Sequence, residues 1–149
     1  MKKFDFVINL PEGWKDCSEE NPGGPPTFIR TASESPGVLQ CSMELYAGGE
    51  KPQPDEDGLV KMAINVACEQ DWGEFVKSDH GKCAFGIYGT AIFKSAKHNH
   101  MQVWYLSNGL DFILVTLISD SNASSQEALE AQNIVKKLNI KPKTWWKIW

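Results

Sequence analysis

Three histidines, four cysteines and a dense set of carboxylates are the residues best equipped for chemistry. His98 and His100 form an H-x-H pair. On a strand such a pair points both imidazoles to one face, where a third nitrogen or carboxylate would complete a zinc site. The segment from Lys94 to His100 is otherwise polar and joins two strand-like runs, so its composition favours a solvated hairpin loop, with metal binding through His98 and His100 as the alternative. Cys17, Cys41, Cys68 and Cys83 are far apart and contain no C-x-x-C pair, which makes reduced thiols the default over two disulfides. Cys41 and Cys68 fall inside regular elements, where cysteine acts as a small hydrophobe rather than as a nucleophile with its own base. No G-x-S-x-G, Walker loop, H-E-x-x-H or dinucleotide fingerprint occurs, and Gly23-Gly24 and Gly48-Gly49 lack the strand-to-helix context of a phosphate cradle. Neither a catalytic residue nor a cofactor is expected.

Charge is distributed unevenly. Between Glu44 and Asp79 nine acids face three lysines, and Glu50, Asp55, Glu56 and Asp57 crowd one connector and the helix start that follows. Such a field steers a basic protein partner, a nuclease toxin for example; the plainer account is a solvated helix with a charged loop before it. From Lys136 to Trp149 there are five lysines and no acid, together with Trp145, Trp146 and Trp149. Those indoles either fold back over the sheet of their own domain or of a symmetry mate in a homodimer, or they anchor a partner or a membrane interface. The formal net charge of −4 disfavours nucleic acid as the main partner.

The elements that must position these groups are strands first. Residues 101–119 read as two strand-like runs around Asn108-Gly109, a strong hairpin signal. A two-residue loop there predicts that Ser107 faces Leu110, Trp104 faces Ile113 and Val103 faces Leu114. The second run is apolar on both alternating sets, so both faces of its sheet should be covered. Strands are also expected over residues 4–10, 27–32 and 38–46, the last with Leu39, Cys41, Met43 and Leu45 on one side. Residues 74–78 and 83–94 extend the hairpin into a meander. Asp55 is a candidate N-cap for a helix to about residue 71, whose stripe is Leu59, Met62, Ala63 and Val66. Ser124-Ser125-Gln126-Glu127 reads as a capping box for a second helix with Ala128, Ala131, Ile134, Val135 and Leu138 on its core face, ended before Pro142. This order predicts an α+β fold, an antiparallel sheet of about six to seven strands sandwiched by two main helices, in one domain spanning residues 1–141 with a Trp/Lys-rich tail at 142–149. A chain of 149 residues buries roughly two-thirds of its unfolded surface in one such core.

The stretch Asn9-Leu10-Pro11-Glu12-Gly13-Trp14-Lys15-Asp16-Cys17-Ser18 resembles the "LP-x-GW-x-D-x-S" opening of the PsbP/DcrB-like superfamily. The run from Tyr88-Gly89-Thr90-Ala91 through Gln102-Val103-Trp104 to Leu114-Val115-Thr116 resembles the sheet of the same group, and the element order matches over nearly the whole chain. That superfamily includes photosystem II extrinsic proteins, a Ran-binding nuclear transport factor, bacterial lipoproteins and chaperones of type VI effectors. The resemblance implies a non-catalytic α/β/α scaffold that binds other proteins. It also implies that Trp14 packs at least half buried, so that truncation to Ala would cost roughly 3–5 kcal/mol. The N-terminus is too short and too charged for a signal h-region, and no run approaches a membrane span, which predicts a cytoplasmic protein. The leading expectation is a bacterial immunity protein or effector chaperone that binds a toxin, effector or secreted protein stoichiometrically. Glu50, Asp55, Glu56, Asp57, Trp145, Trp146 and Trp149 would form the contact surface. The rival classes are a small-molecule or metal-binding module using His98 and His100, and a hydrolase without a recognisable motif.

Overall fold

The computed structural model describes residues 6–20, 22–33, 36–121 and 125–141. Strands β1 (Phe6–Val7), β2 (Trp14–Asp16), β3 (Thr27–Arg30) and β4 (Val38–Glu44) precede helix α1 (Glu56–Glu69). The meander β5 (Glu74–Cys83), β6 (Gly86–Lys94), β7 (His100–Ser107) and β8 (Phe112–Ser119) follows, then α2 (Gln126–Lys137) and β9 (Asn139–Ile140). Seven strands form one antiparallel sheet in the order β2-β3-β4-β8-β7-β6-β5, and β1 pairs separately with β9. Among the described residues no helix is long and apolar enough to cross a membrane.

Side-chain alternation along β7 sorts the two layers. Met101 and Val103 join Ala91, Phe93, Ala63 and Ala67 beneath α1. Trp104 and Leu106 join Val115, Leu117, Leu39, Phe28 and the α2 residues Ala131, Ile134, Val135 and Leu138 on the opposite face. At Gly89 the backbone of α1 comes so close that an added Cβ would lie 2.3 Å from the Val60 nitrogen, so only glycine fits there. Asp55 caps α1 as expected, accepting from the Gly58 N–H at 2.7 Å.

Several expectations need correction. The β7–β8 loop spans residues 108–111, and Ser107 pairs with Phe112, Leu106 with Ile113 and Trp104 with Val115. The cause is the Asn108 side chain, whose Oδ1 accepts from the N–H groups of both Leu110 (3.0 Å) and Asp111 (2.8 Å), an Asx-type turn that competes with the two-residue hairpin. The second helix is capped by Ser125, not Ser124, and Glu127 turns inward instead of completing a capping box. Glu127 is 2 % exposed, and its carboxylate accepts from the Gly37 N–H at 3.1 Å and from the Ser119 hydroxyl. The β8 face that includes Leu114 and Ile118 is only half covered, because α1 lies over β5–β7. Strands β2 and β9 are too short to leave a periodic signal, and the first strand is confined, among the described residues, to Phe6–Val7.

Trp14 opens β2 directly after the turn at Gly13, whose φ of +95° suits a residue without Cβ. Its ring is half buried, and its Nε1 donates to Glu130 Oε1 of α2 at 2.8 Å. Arg30 Nε donates to the same oxygen at 3.0 Å, so one carboxylate ties β2 and β3 to the helix. Burial alone would raise the Glu130 pKa, but hydrogen bonds from Trp14, Gln126 and Arg30 and the guanidinium charge hold it below the ordinary value. Because Trp14 is only half buried, Trp14→Ala should destabilise the fold by roughly 2–3 kcal/mol, below the range for a fully buried indole. Chemical denaturation checks this, and an unmoved midpoint would show that the clamp carries no stability.

Candidate functional site

The acidic residues gather at one corner, where the first turn of α1 meets β5. His80 on β5 bonds through Nδ1 to Glu56 Oε1 at 2.6 Å, its Nε2 lies 3.9 Å from Asp57 Oδ1, and its backbone N–H donates to Asp79 Oδ1 at 2.8 Å. The Glu56 hydrogen bond is the main cause that raises the His80 pKa above its ordinary 6.5, with the charges of Glu56, Asp57 and Asp79 adding to it against a smaller desolvation effect. Asp55 is engaged as the α1 cap, and Glu50 is exposed in the preceding connector. Trp145, Trp146 and Trp149 lie outside the described residues.

Beside this corner runs the outer edge of the sheet. Strand β5 is terminal in the strand order, and from Glu74 to His80 every residue is exposed. Phe75 and Val76 are 48 % and 45 % exposed, next to a register shift between Phe75 and Lys77. Such an edge presents unpaired backbone N–H and C=O groups, and the bulge bends it locally.

The H-x-H pair divides between two environments. His98 lies in the loop before β7, with Nδ1 3.1 Å from Asp120 Oδ1. His100 is the first residue of β7, 1 % exposed on the α2 face, and pairs with Ser119. Its Nε2 is 2.8 Å from Gln102 Oε1, while Gln102 Nε2 donates to Thr90 Oγ1 at 2.9 Å and the Thr90 hydroxyl donates to the Val103 carbonyl at 2.7 Å. Because the Gln102 amide nitrogen is the donor to Thr90, its oxygen must accept, which puts the His100 proton on Nε2 and leaves buried Nδ1 without a partner. Burial lowers the His100 pKa more than the Gln102 hydrogen bond raises it, so the ring is neutral near pH 7. Among the described residues no three His, Cys, Asp or Glu side chains converge as metal ligands.

Thr90, Gln102, Ser119 and Glu127 are all buried polar residues on this face, a role that neither the family resemblance at Thr90 and Gln102 nor the capping-box pattern at Glu127 suggested. For Gln102 the signal was present in β7, where it and His100 share the alternating set of Trp104 and Leu106 and so must face inward. All four cysteines are free thiols, and burial pushes the Cys41 thiol up to about 12, far from a nucleophile's range.

No protein-family model matches the sequence, and no curated protein matches it. The solution structure of cyanobacterial PsbP (CyanoP) from Synechocystis sp. PCC 6803 superposes with a TM-score of 0.58 over 91 % of this chain and 86 % of that one, at 11 % identity. The fold is PsbP-like. A 1.50 Å crystal structure from Bacteroides thetaiotaomicron VPI-5482 matches with a TM-score of 0.48 and 14 % identity, over 93 % of this chain and 46 % of that one. In this PsbP-like fold the Pro11-Glu12-Gly13-Trp14 turn, which carried part of the resemblance, delivers Trp14 to the α2 clamp. At such low identity the likeness concerns the fold, and sites have to be argued from this chain's own residues.

The His80 cluster makes a signed prediction. A histidine whose folded pKa is raised contributes stability that is fully present below the unfolded value of 6.5 and is lost as pH rises through the raised folded value. His80→Gln should therefore cost stability at about pH 6 and have little effect at about pH 9, the difference being small because the group is exposed. Thermal melts of both proteins across that range test it; parallel pH curves would mean that the His80–Glu56 contact carries no charge coupling.

Proposed function

We propose that this protein is a non-catalytic binding module that acts stoichiometrically on another protein in the cytoplasm, as an immunity protein or as an effector or secretion chaperone. The observation that carries this reading is the outer edge of β5, a long exposed strand with two exposed apolar side chains, set against the carboxylates of Glu56, Asp57 and Asp79. An exposed edge accepts an extended segment by main-chain hydrogen bonds, and the acidic corner favours a basic segment. Glu50 and Asp55 extend the same field along the connector to α1. Trp145, Trp146 and Trp149 serve in this reading as aromatic anchors on a tail that follows one domain of residues 1–141.

A photo-crosslinking amino acid at position 75, introduced in the native host, should trap one partner at one-to-one stoichiometry. The double reversal Glu56→Lys/Asp57→Lys should weaken that complex ten-fold or more and flatten its salt dependence, with circular dichroism confirming the fold. Absence of any stoichiometric adduct, or full binding by the reversed variant, would remove this reading. Deleting residues 143–149 separates the tail's roles: an anchor loses the partner at an unchanged melting temperature, whereas a segment covering its own sheet lowers that temperature.

A further inference from the structure

On the α2 side of the sheet, β5, β6 and β7 meet the helix around a cleft of about 190 Å³. Its floor holds Thr90 and Gln102, each 2 % exposed and locked by the relay that runs from His100 to the Val103 carbonyl. Gln132 of α2 faces them, its Oε1 3.4 Å from Gln102 Nε2, a contact long enough to yield to a better partner. Two polar side chains that are almost wholly buried, and preoriented by bonds to deeper groups, make this a built surface rather than a dent between side chains.

The wall of the cleft carries two opposite charges. Lys77 and Asp79 are two residues apart on β5, so both side chains project to the α2 face, with their Cα atoms about 6–7 Å apart. Among the described residues neither takes part in an ion pair, and the hydrogen bond recorded at the Asp79 carboxylate comes from the neighbouring His80 N–H. Opposite them Leu129, an apolar residue left 57 % exposed on α2, forms the rim with Ile92 and Ala128 behind it. The cleft is smaller than the roughly 300–1,000 Å³ of drug-sized sites. It therefore combines a cation, an anion, neutral amides and a short apolar wall in the space of one small molecule.

We propose that this cleft binds a free α-amino acid with an apolar side chain. Lys77 takes the carboxylate, Asp79 and the Gln132 amide oxygen take the ammonium group, and the side chain lies against Leu129 and Ile92. The inference does not rest on the protein-binding reading: it uses the α2 face of β5 rather than its outer edge, and the Asp79 carboxylate is the one group the two share.

The test is an NMR titration of the isotope-labelled protein with L-leucine, with 4-methylpentanoate, which lacks the ammonium group, and with leucinamide, which lacks the carboxylate. L-Leucine should give saturable shifts at residues 77–79, 90, 102 and 132, and each single-charge analogue should bind at least ten-fold more weakly. Asp79→Asn and Lys77→Met are exposed substitutions, and each should weaken L-leucine ten-fold or more while the spectrum stays dispersed. No saturable shift with L-leucine, equal binding of either analogue, or undiminished binding by both folded variants would overturn the proposal.

Discussion

Strand β7 sends Met101 and Val103 under α1 and Trp104 and Leu106 under α2, so its own burial requires a helix on each side and a bonded strand at each edge. The rest of the architecture follows from that requirement. Strands β6 and β8 satisfy its backbone groups, Gly89 lets α1 approach, and two carboxylates tie α2 to the sheet, Glu130 to β2 and β3 and Glu127 to Gly37 ahead of β4 and Ser119 of β8. Even the indole nitrogen of Trp104 is sacrificed to this packing: it is buried with no hydrogen-bond partner, a cost on the order of 1–3 kcal/mol that the surrounding apolar contacts outweigh.

The same strand explains why a polar cleft exists in an otherwise apolar layer. Along one alternating set the side chains run His100, Gln102, Trp104, Leu106, polar at the first two positions and apolar at the last two. The apolar half supports the C-terminal part of α2 through Ile134, Val135 and Leu138, while the polar half lies beneath the first turns of the helix, where Glu127 and Gln132 are found. Buried amides and hydroxyls must find partners inside the layer, and the relay from His100 through Gln102 to Thr90, ending on the Val103 carbonyl, is the outcome.

Much of this was legible because periodicity survives local error. Reading Asn108-Gly109 as a two-residue turn misplaced the register of β8 by two positions, yet a shift of two returns every side chain to the same face, so the side-chain sets of β7 and β8 stayed in phase even though the cover expected on both faces of β8 is complete on one only. The helix stripes were legible for the same reason: Ala128, Ala131, Ile134, Val135 and Leu138 of the α2 stripe are all buried, whereas of the α1 stripe Leu59 and Ala63 are buried and Met62 and Val66 only partly so, with Ala67 in the core instead. Contacts between residues distant in sequence were not legible. Nothing in the run around His80 announces Glu56, and nothing near Trp14 announces Glu130, because those pairs meet only after α1 and α2 have docked. His98 and His100 show the converse: adjacency in sequence suggested a shared site, and a strand boundary between them put one in the loop and the other in the core.

The pairing of β1 with β9 has a mechanical consequence. Phe6 faces Ile140 and Val7 faces Asn139, so the two ends of the described fold are joined by a two-residue ladder outside the main sheet. A force that pulled those ends apart would open this ladder like a zipper before any load reached the seven-stranded sheet. Phe6, Ile8 and Ile140, packed against the main core, would be uncovered at the same step. Whatever is joined to either end is thus coupled first to a small, separable patch of the molecule, and only after that patch opens to the sheet behind it.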